Sequence, residues 1–594
     1  MEENNGNRPL LDDFIEPLKV RGLGGQAKNL YNSYVYFIRW AIWKACEQRK
    51  NETGVVSYIT SSSYLRGPGF AGMREYMRRV FDEVWIIDLG GEGRGARPEE
   101  NVFNIRTPVA IFVGIQHPNT STGKPKRHTD RMKQQAKVYY QRIYGTELEK
   151  LSAVGEVDVP ESDDKWTQLS NGDWTDKFVP SSAAALSDGV PLDLVFPWSH
   201  SGVQFKRKWP IGASIDVLEK RWKRLQEAPS REEMAVLFRQ TSQKHLEAKG
   251  ENLLSLLPVD ALIQDCHMLA PVRYGYRSFD RQYTLPDSRI NDRPRPQLWD
   301  SCSDDQLFLV TLTSTTLGDG PAVTLSPYVP DMDFFRGSFG AKSVHPLYRS
   351  AGTSQPNISA SLRAALNDAY GREVEPFEIA AYVVGLLGTS AYTERFADEL
   401  AESVAHVPFT ADADLFAEVV DFGRSIIFEQ TWGERGAKLN QFGQPVGQRF
   451  RGAATIAVPA PESDYPESWS YDADSQQLFV GGGRFDNVSP AVANFEVSGM
   501  SVVGSWLGYR MKTPAGKSSS PLDKIQADTW QHDGELLELL WQLEFMVNAE
   551  SLGAELIDKV VTGKIISPST LGVPTDVERK APAKKKPGEL TLEG

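Results

Sequence analysis

Cysteine is scarce: Cys46, Cys266 and Cys302 are the only three in 594 residues. They lie far apart and form neither a metal-spaced pair nor a disulfide framework, which points to a reducing cytoplasm. The eight histidines do not cluster, which argues against a zinc site. Long apolar runs are absent too. No stretch approaches the ~20 residues of a membrane helix, and the opening MEENNGNRPLLDDF lacks the apolar core of a signal peptide. No membrane partner is expected. Positive charge is in deficit, with a net charge of −13. That excludes a wholly basic nucleic-acid coat and leaves open an acidic body with one basic groove.

What remains is 40% hydrophobic against 24% charged, enough for a sizeable core. The length allows roughly three or four domains. The chain is organised around Asp82 to Gln116. Two short runs rich in β-branched residues, Val84 to Leu89 and Val109 to Ile115, read as buried strands. Between them lies the polar loop EGRGARPEENVFNIRTP, whose one aromatic side chain is Phe103. Phe103 either anchors the loop onto the body or waits in a cleft to stack on something flat.

Upstream, Leu30, Tyr34, Phe37, Ile38, Ala41 and Ala45 repeat at helical steps. GVVSYIT then reads as a strand ending in Ser61-Ser62-Ser63, and a helix is predicted from about Phe70 to Val80. That helix has Met73, Met77 and Val80 inward, with Arg74, Arg78 and Arg79 on the other side. The order helix, strand, helix, strand, strand is half of an α/β sandwich ending in a hairpin. Residues 117–190 shift to Ser, Thr, Asp and Lys, with one strand predicted at Lys137 to Ile143.

Two basic segments laced with aromatics follow. The first carries Lys206, Arg207, Lys208, Lys220, Arg221, Lys223 and Arg224, and the second Arg273, Arg277, Arg281, Arg289, Arg293 and Arg295. In an acidic chain they read either as phosphate and base contacts or as a solvated face with its aromatics turned inward. Helices are predicted at Ile358 to Tyr370, Pro376 to Gly388, Leu415 to Phe428 and Gly534 to Val547. A glycine-rich, strand-like stretch is predicted from Leu478 to Arg510.

The ordered set LYNSYVYFIRWAIWKA, GVVSYITSSSYL, GFAGMREYMRRVFDEVWIIDLGG and NVFNIRTPVAIFVGI resembles the second half of a gamma-class N6-adenine DNA methyltransferase, and more narrowly the Type ISP restriction-modification enzymes. RYGYRSFDRQY, HPLYR, QPNIS, EIAAYVVGLLGTSAYTERFADEL and GSWLGYR resemble that family's target-recognition and C-terminal part. The resemblance implies an α/β fold: a partial Rossmann-like methyltransferase sheet ending in a β-hairpin, then a mixed α+β target-recognition domain. It implies a C-terminal methyltransferase half over 1–145 and a linker or weakly ordered stretch over 146–190. A DNA target-recognition region over 191–350 and a specificity region over 351–547 follow, with a disordered basic tail over 548–594.

The resemblance also implies roles. Phe103 stacks on a flipped adenine, because a base cannot be methylated inside the duplex. Thr60 and Ser61 line the adenine pocket. Asn32, Ser33 and Tyr34 match a family segment near the methyl donor, with Asn32 standing where the family has an acidic residue. Lys206, Arg207, Lys208, Arg273, Arg277 and Arg281 are the implied DNA contacts, and double-stranded DNA the implied partner. The family's donor loop and its Asn-Pro-Pro-Tyr motif are not found; Gly90 to Gly95 is glycine-rich but lies in the hairpin insert, and Asn5 to Pro9 is not the tetrapeptide. S-adenosylmethionine is therefore expected only with a missing N-terminal half, and Met1 is expected to be an internal point of a longer enzyme. An upstream-encoded methyltransferase half or a helicase-nuclease is a further expected partner. The competing readings are a DNA-recognition subunit without chemistry and a degenerate fragment.

Overall fold

Runs of β-branched residues bounded by Gly, Pro or charge become strands in the computed structural model of the chain. GVVSYITS forms β1 (Gly54–Ser61), EVWIIDLG forms β2 (Glu83–Gly90) and VAIFVGIQ forms β3 (Val109–Gln116). With β4 (Lys137–Arg142) and β5 (Thr167–Gln168) they make one sheet in the order β1-β3-β2-β4-β5. β2 and β3 are antiparallel neighbours, as a hairpin requires. β3 also pairs antiparallel with β1, and β2 runs parallel to β4. The structure describes residues 10–20, 30–48, 52–91, 100–103, 105, 107–118, 135–157, 165–169, 172–180, 189–246, 268–312, 317–335, 343–400, 404–439, 445–458, 465–516 and 518–583. Asn5 to Pro9, most of the glycine-rich insert after Gly91, Cys266 and the Lys-rich end of the tail lie outside the described residues.

The chain divides into two units, Met1–Ala184 and Ala185–Gly594. In the first, helices α1 (Asp12–Val20), α2 (Ser33–Ile42) and α3 (Ala71–Val80) supply the core. Phe14, Leu18, Val35, Ile38, Met73 and Met77 pack on Val56, Val84, Ile86 and Phe112 of the sheet. One helical expectation needs correction. Phe37 belongs to the apolar repeat but is 55% exposed, because Val35 and Ile42 turn inward and rotate the buried stripe. Arg74 and Arg78, predicted on the other side of their helix from Met73 and Met77, are buried as well. Arg74 donates to the carbonyls of Tyr64 and Gly67, and Arg78 to that of Asp176. A guanidinium offers five donors, so it satisfies loop carbonyls that no ladder reaches.

Part of 146–190 is described. Thr146 and Glu149 form a reciprocal capping box that starts α4 (Glu147–Gly155). Arg79 stacks over the Trp174 ring at 4.1 Å.

The second unit is a mixed α/β assembly of several small sheets, with no closed barrel among the described residues. α5 (Ile215–Gln226) carries the later part of the first basic segment, and β6 (Val272–Arg277) with β7 (Asp280–Thr284) carries part of the second. Its helical part contains α6 (Pro376–Leu387), α7 (Ala413–Gln430) and α8 (Asp533–Thr562). α8 runs well beyond Val547, because Ala549, Gly553, Leu556, Ile557 and Val560 continue its buried stripe. The stretch from Leu478 to Arg510 is strand at Gln477–Val480, Gly483–Asp486, Glu496–Val497 and Met500–Ser501. Ser489 and Ser501 then cap two short helices, Pro490–Ala493 and Val502–Gly508. No helix among the described residues is long and apolar enough to cross a membrane.

α6 and α7 cross in backbone contact. A Cβ on Gly423 would sit 1.8 Å from the Ala381 carbonyl oxygen, and one on Gly385 would sit 2.5 Å from that of Val419. Gly423→Ala is therefore expected to destabilise the second unit by about 1–3 kcal/mol through overpacking. Denaturant unfolding would measure this, and an unchanged midpoint would show that the helices do not touch there.

Candidate functional site

The carboxyl ends of β1 and β2 flank the start of β3. Ser61 and Gly90 both oppose Val109 in the two ladders. In α/β sheets the crevice beyond the carboxyl ends of strands is where ligands bind. The chain enters β3 from this end, so the described residues of the β2–β3 loop, Asn101 to Phe103 among them, lie beside it.

That loop is fastened at its base. Asn101 donates through Nδ2 to the carbonyls of Gly91 (2.9 Å) and Thr107 (2.8 Å), and its Oδ1 accepts from the Phe103 amide (2.9 Å). Gly91 has φ +85°, and a Cβ there would lie 2.5 Å from the Asn101 amide nitrogen, so both positions are constrained together. Lys150 of α4, fully buried, donates to the Glu100 carbonyl at 2.7 Å. The apolar anchor is Val102, which packs with Leu89, Val109 and Ile143. Phe103, next to it, is 45% exposed. Of the two roles the sequence leaves open for Phe103, the anchoring one is performed by its neighbour.

Below the loop, Asp88 is completely buried near the end of β2. It accepts from the Gly90 amide (3.0 Å) and the Tyr140 hydroxyl (3.0 Å), and pairs with Arg66 (3.0 Å) and Arg142 (3.5 Å). Tyr34 of α2 leans on Phe70, with ring centroids 6.3 Å apart. Burial pushes its phenol up, and the neighbouring Ser61 hydroxyl pulls it partly back. Ser61 also shares a 2.8 Å hydrogen bond with Ser63. Thr60 precedes Ser61 on β1 and is half-buried. Asn32 stands before α2 and is exposed; its side chain does not cap the helix. The structure thus gathers Tyr34, Ser61 and the Phe103 loop at one end of the sheet. Asn101, Val102, Lys150 and Asp88 were missed in the sequence. Only the Asn-Val-Phe spacing could have marked the first two, and the others depend on tertiary contacts.

In the second unit the basic candidates separate. Lys206 is exposed, with φ +53°. Arg207 is buried, donates to the Arg239 and Ile290 carbonyls and sits 3.4 Å from Asp292; burial pulls its guanidinium down to about 10. Lys208 is half-buried and donates to the Ala515 carbonyl at 2.7 Å, and burial lowers its ammonium. Arg277 is buried against Asp331 at 3.0 Å. Arg273 lies over the Tyr283 ring at 4.1 Å. Arg281 lies over the Trp432 ring at 4.6 Å and pairs with Glu434 at 3.2 Å and Glu538 at 3.7 Å. Trp432 holds a left-handed φ of +55° and stacks on Tyr328. The first segment therefore presents Lys206 outward and uses Arg207 internally, so these cations do not form one continuous exposed face.

The glycines at the hairpin do not form a cradle for a sulfonium donor among the described residues, since the space beside Gly91 is filled by Asn101.

Three solved structures share the fold. The cryo-EM structure of a DrdV–DNA complex is 16% identical with a TM-score of 0.52, over 90% of this chain and 52% of that one. A nuclease-deletion mutant of the Type ISP restriction-modification enzyme LlaGI, in complex with a DNA substrate mimic, is 17% identical with a TM-score of 0.54, over 94% and 50%. The ATP-dependent Type ISP restriction-modification enzyme LlaBIII bound to DNA is 14% identical with a TM-score of 0.55, over 94% and 35%. The chain spans about half or less of the length of each of them. No curated protein sequence matches it. The family model described as the Type ISP C-terminal specificity domain matches residues 194–541, more than half of the chain and all within the second unit. By that match the chain belongs to the Type ISP C-terminal specificity domain family.

Proposed function

We propose that this chain recognises double-stranded DNA within a Type ISP restriction-modification system, and that its first unit is one wall of an adenine-N6 methyltransferase site. The observation that carries the methyltransferase reading is Phe103: an exposed aromatic on a loop fastened by Asn101 and Val102, next to the carboxyl ends of β1 and β2. An extruded base needs such a face. Tyr34, Thr60 and Ser61 would border the base. S-adenosylmethionine would be the donor, held by residues outside those described here. The DNA reading is supported by family membership and by the DNA complexes among the structural relatives. A recognition module without chemistry is the second reading, favoured by the family match being confined to the second unit.

With the donor-binding part supplied by co-expression, Phe103→Ala is expected to lower adenine methylation. Stacking is worth about 1–3 kcal/mol per base, or roughly fivefold to 150-fold in rate. Phe103→Trp should keep much of the activity and Phe103→Leu should not, because stacking needs an aromatic face. A loop anchor would rank them oppositely, with Leu tolerated and Trp overpacked. Methylation and melting temperature of the three variants decide between these roles.

Charge gives a separate test. Lys206→Ala should reduce the salt dependence of DNA affinity by up to about one unit in the log–log slope. Arg207→Ala should lower the melting temperature instead, since it leaves the buried Asp292 without its counter-charge and two carbonyls without this donor. Equal slopes for wild type and Lys206→Ala would remove Lys206 from the DNA interface.

A further inference from the structure

The short connection from β4, which ends at Arg142, to α4, which begins at Glu147, holds a second exposed aromatic, Tyr144. Tyr144 is 64% exposed, more than Phe103. Its loop is fastened on both sides. Before it, Ile143 is buried, and its amide donates to the Asp88 carbonyl at 3.0 Å. After it, Gly145 turns the chain with φ +120°. A Cβ on Gly145 would lie 2.7 Å from the Glu149 carboxylate, which accepts from the Thr146 amide in the capping box of α4. The ring is held as well: the Arg142 guanidinium lies over it at 4.8 Å and donates to the Asp88 carbonyl at 3.1 Å. β4 runs parallel to β2 with Arg142 opposite Asp88, so the chain reaches Tyr144 at the sheet end where Phe103 stands. Val102 and Ile143 belong to one cluster with Leu89 and Val109, and Phe103 and Tyr144 are the residues that follow them. Two outward aromatics thus flank one buried apolar cluster.

Phe103 accounts for only half of a base-extrusion step. It stacks on the base that leaves, while the duplex is left with a gap, an unpaired partner base and lost stacking. Side chains that enter a base step offset that cost from the duplex side. We propose that Tyr144 is such a wedge: as the target adenine moves onto Phe103, the Tyr144 ring enters the vacated position and stacks on the base pair that borders it. The inference rests on the adenine-methyltransferase reading and adds a second DNA-contacting aromatic to it. It also names the substrate class, paired duplex DNA, since a single strand has no gap to fill. Rigid attachment suits this role. A ring that intrudes between base pairs must not fold aside, and Arg142, Gly145 and the capped start of α4 prevent that. Arg142 covers one face of the ring, and the open face is the one offered to the DNA. Leu148, 79% exposed in the first turn of α4, makes the same corner apolar rather than charged.

The test is the single-turnover rate of adenine methylation by the full chain co-expressed with its donor-binding part. Two duplexes of the sequence it methylates are compared, one fully paired and one with an abasic site opposite the target adenine. The abasic site removes the pairing that a wedge must help to break. Tyr144→Ala is expected to slow methylation of the paired duplex by roughly fivefold to 150-fold. Its melting temperature should not change, because the ring is exposed. On the abasic duplex its rate should return close to that of the wild type. Tyr144→Phe should match the wild type on both duplexes, since the ring and not the hydroxyl acts. Phe103→Ala should be slow on both, because the abasic site does not replace the face on which the extruded adenine stacks. Tyr144→Ala at the wild-type rate on paired DNA would overturn the inference. So would an equal loss on both duplexes, or a Tyr144→Phe variant as slow as Tyr144→Ala. A wild type that methylates adenine in neither duplex contradicts the functional reading, and this inference with it.

Discussion

β3 is hydrogen-bonded on both sides, and that double pairing sets the position of the candidate site. It runs antiparallel between β1 and β2, so its first residue, Val109, lies beside the last residues of both. The connection from β2 therefore ends over the carboxyl-end crevice. The central position also forbids bulk: at Gly114 a Cβ would lie 2.6 Å from the Phe81 ring, which fills the sheet's inner face there. Once β3 is seated, Asn101 needs to close only the short gap between Gly91 and Thr107 to hold Phe103 outward. The buried Asp88 network stiffens the strand end below through Arg66, Tyr140 and the Gly90 amide.

The second unit shows how an acidic chain spends part of its positive charge internally. Arg289 and Asp287 are both about 1% exposed and joined by several contacts. Arg221 donates to the Ile211 carbonyl, and Arg510 pairs with Asp280. A buried guanidinium must be paired and hydrogen-bonded, and removing one partner costs several kcal/mol, about 3–5 for a buried pair. Such residues define the shape of the loops. Surface cations such as Lys206 and Lys223 remain available to a polyanion.

The strand pair around the loop was legible because its β-branched runs are short and sharply bounded, and the capped helices were legible from their periodicity. Which face each helix buries was less so. Phe37 and Ile38 are adjacent and equally apolar, and only packing against the sheet tells them apart. Arg-rich segments are ambiguous for a related reason: sequence records the charge but not the distant carbonyls and carboxylates that absorb it. Arg277 meets Asp331 and Arg221 meets Ile525, partners far away in sequence. Phe103 was legible as a candidate because it is the one aromatic in a polar loop. That Val102 does the anchoring became visible only with Leu89 and Ile143 placed around it.

The central claim is that Phe103 is held out to meet a flat ligand. Its most direct test is a structure of this chain bound to its target DNA together with the donor-binding part. The account predicts an adenine out of the duplex with its face within about 4 Å of the Phe103 ring, in van der Waals stacking, and Asn101 still bonded to Gly91 and Thr107. A target adenine that remains paired, or a Phe103 ring folded onto Leu89, Val109 and Ile143, would contradict it.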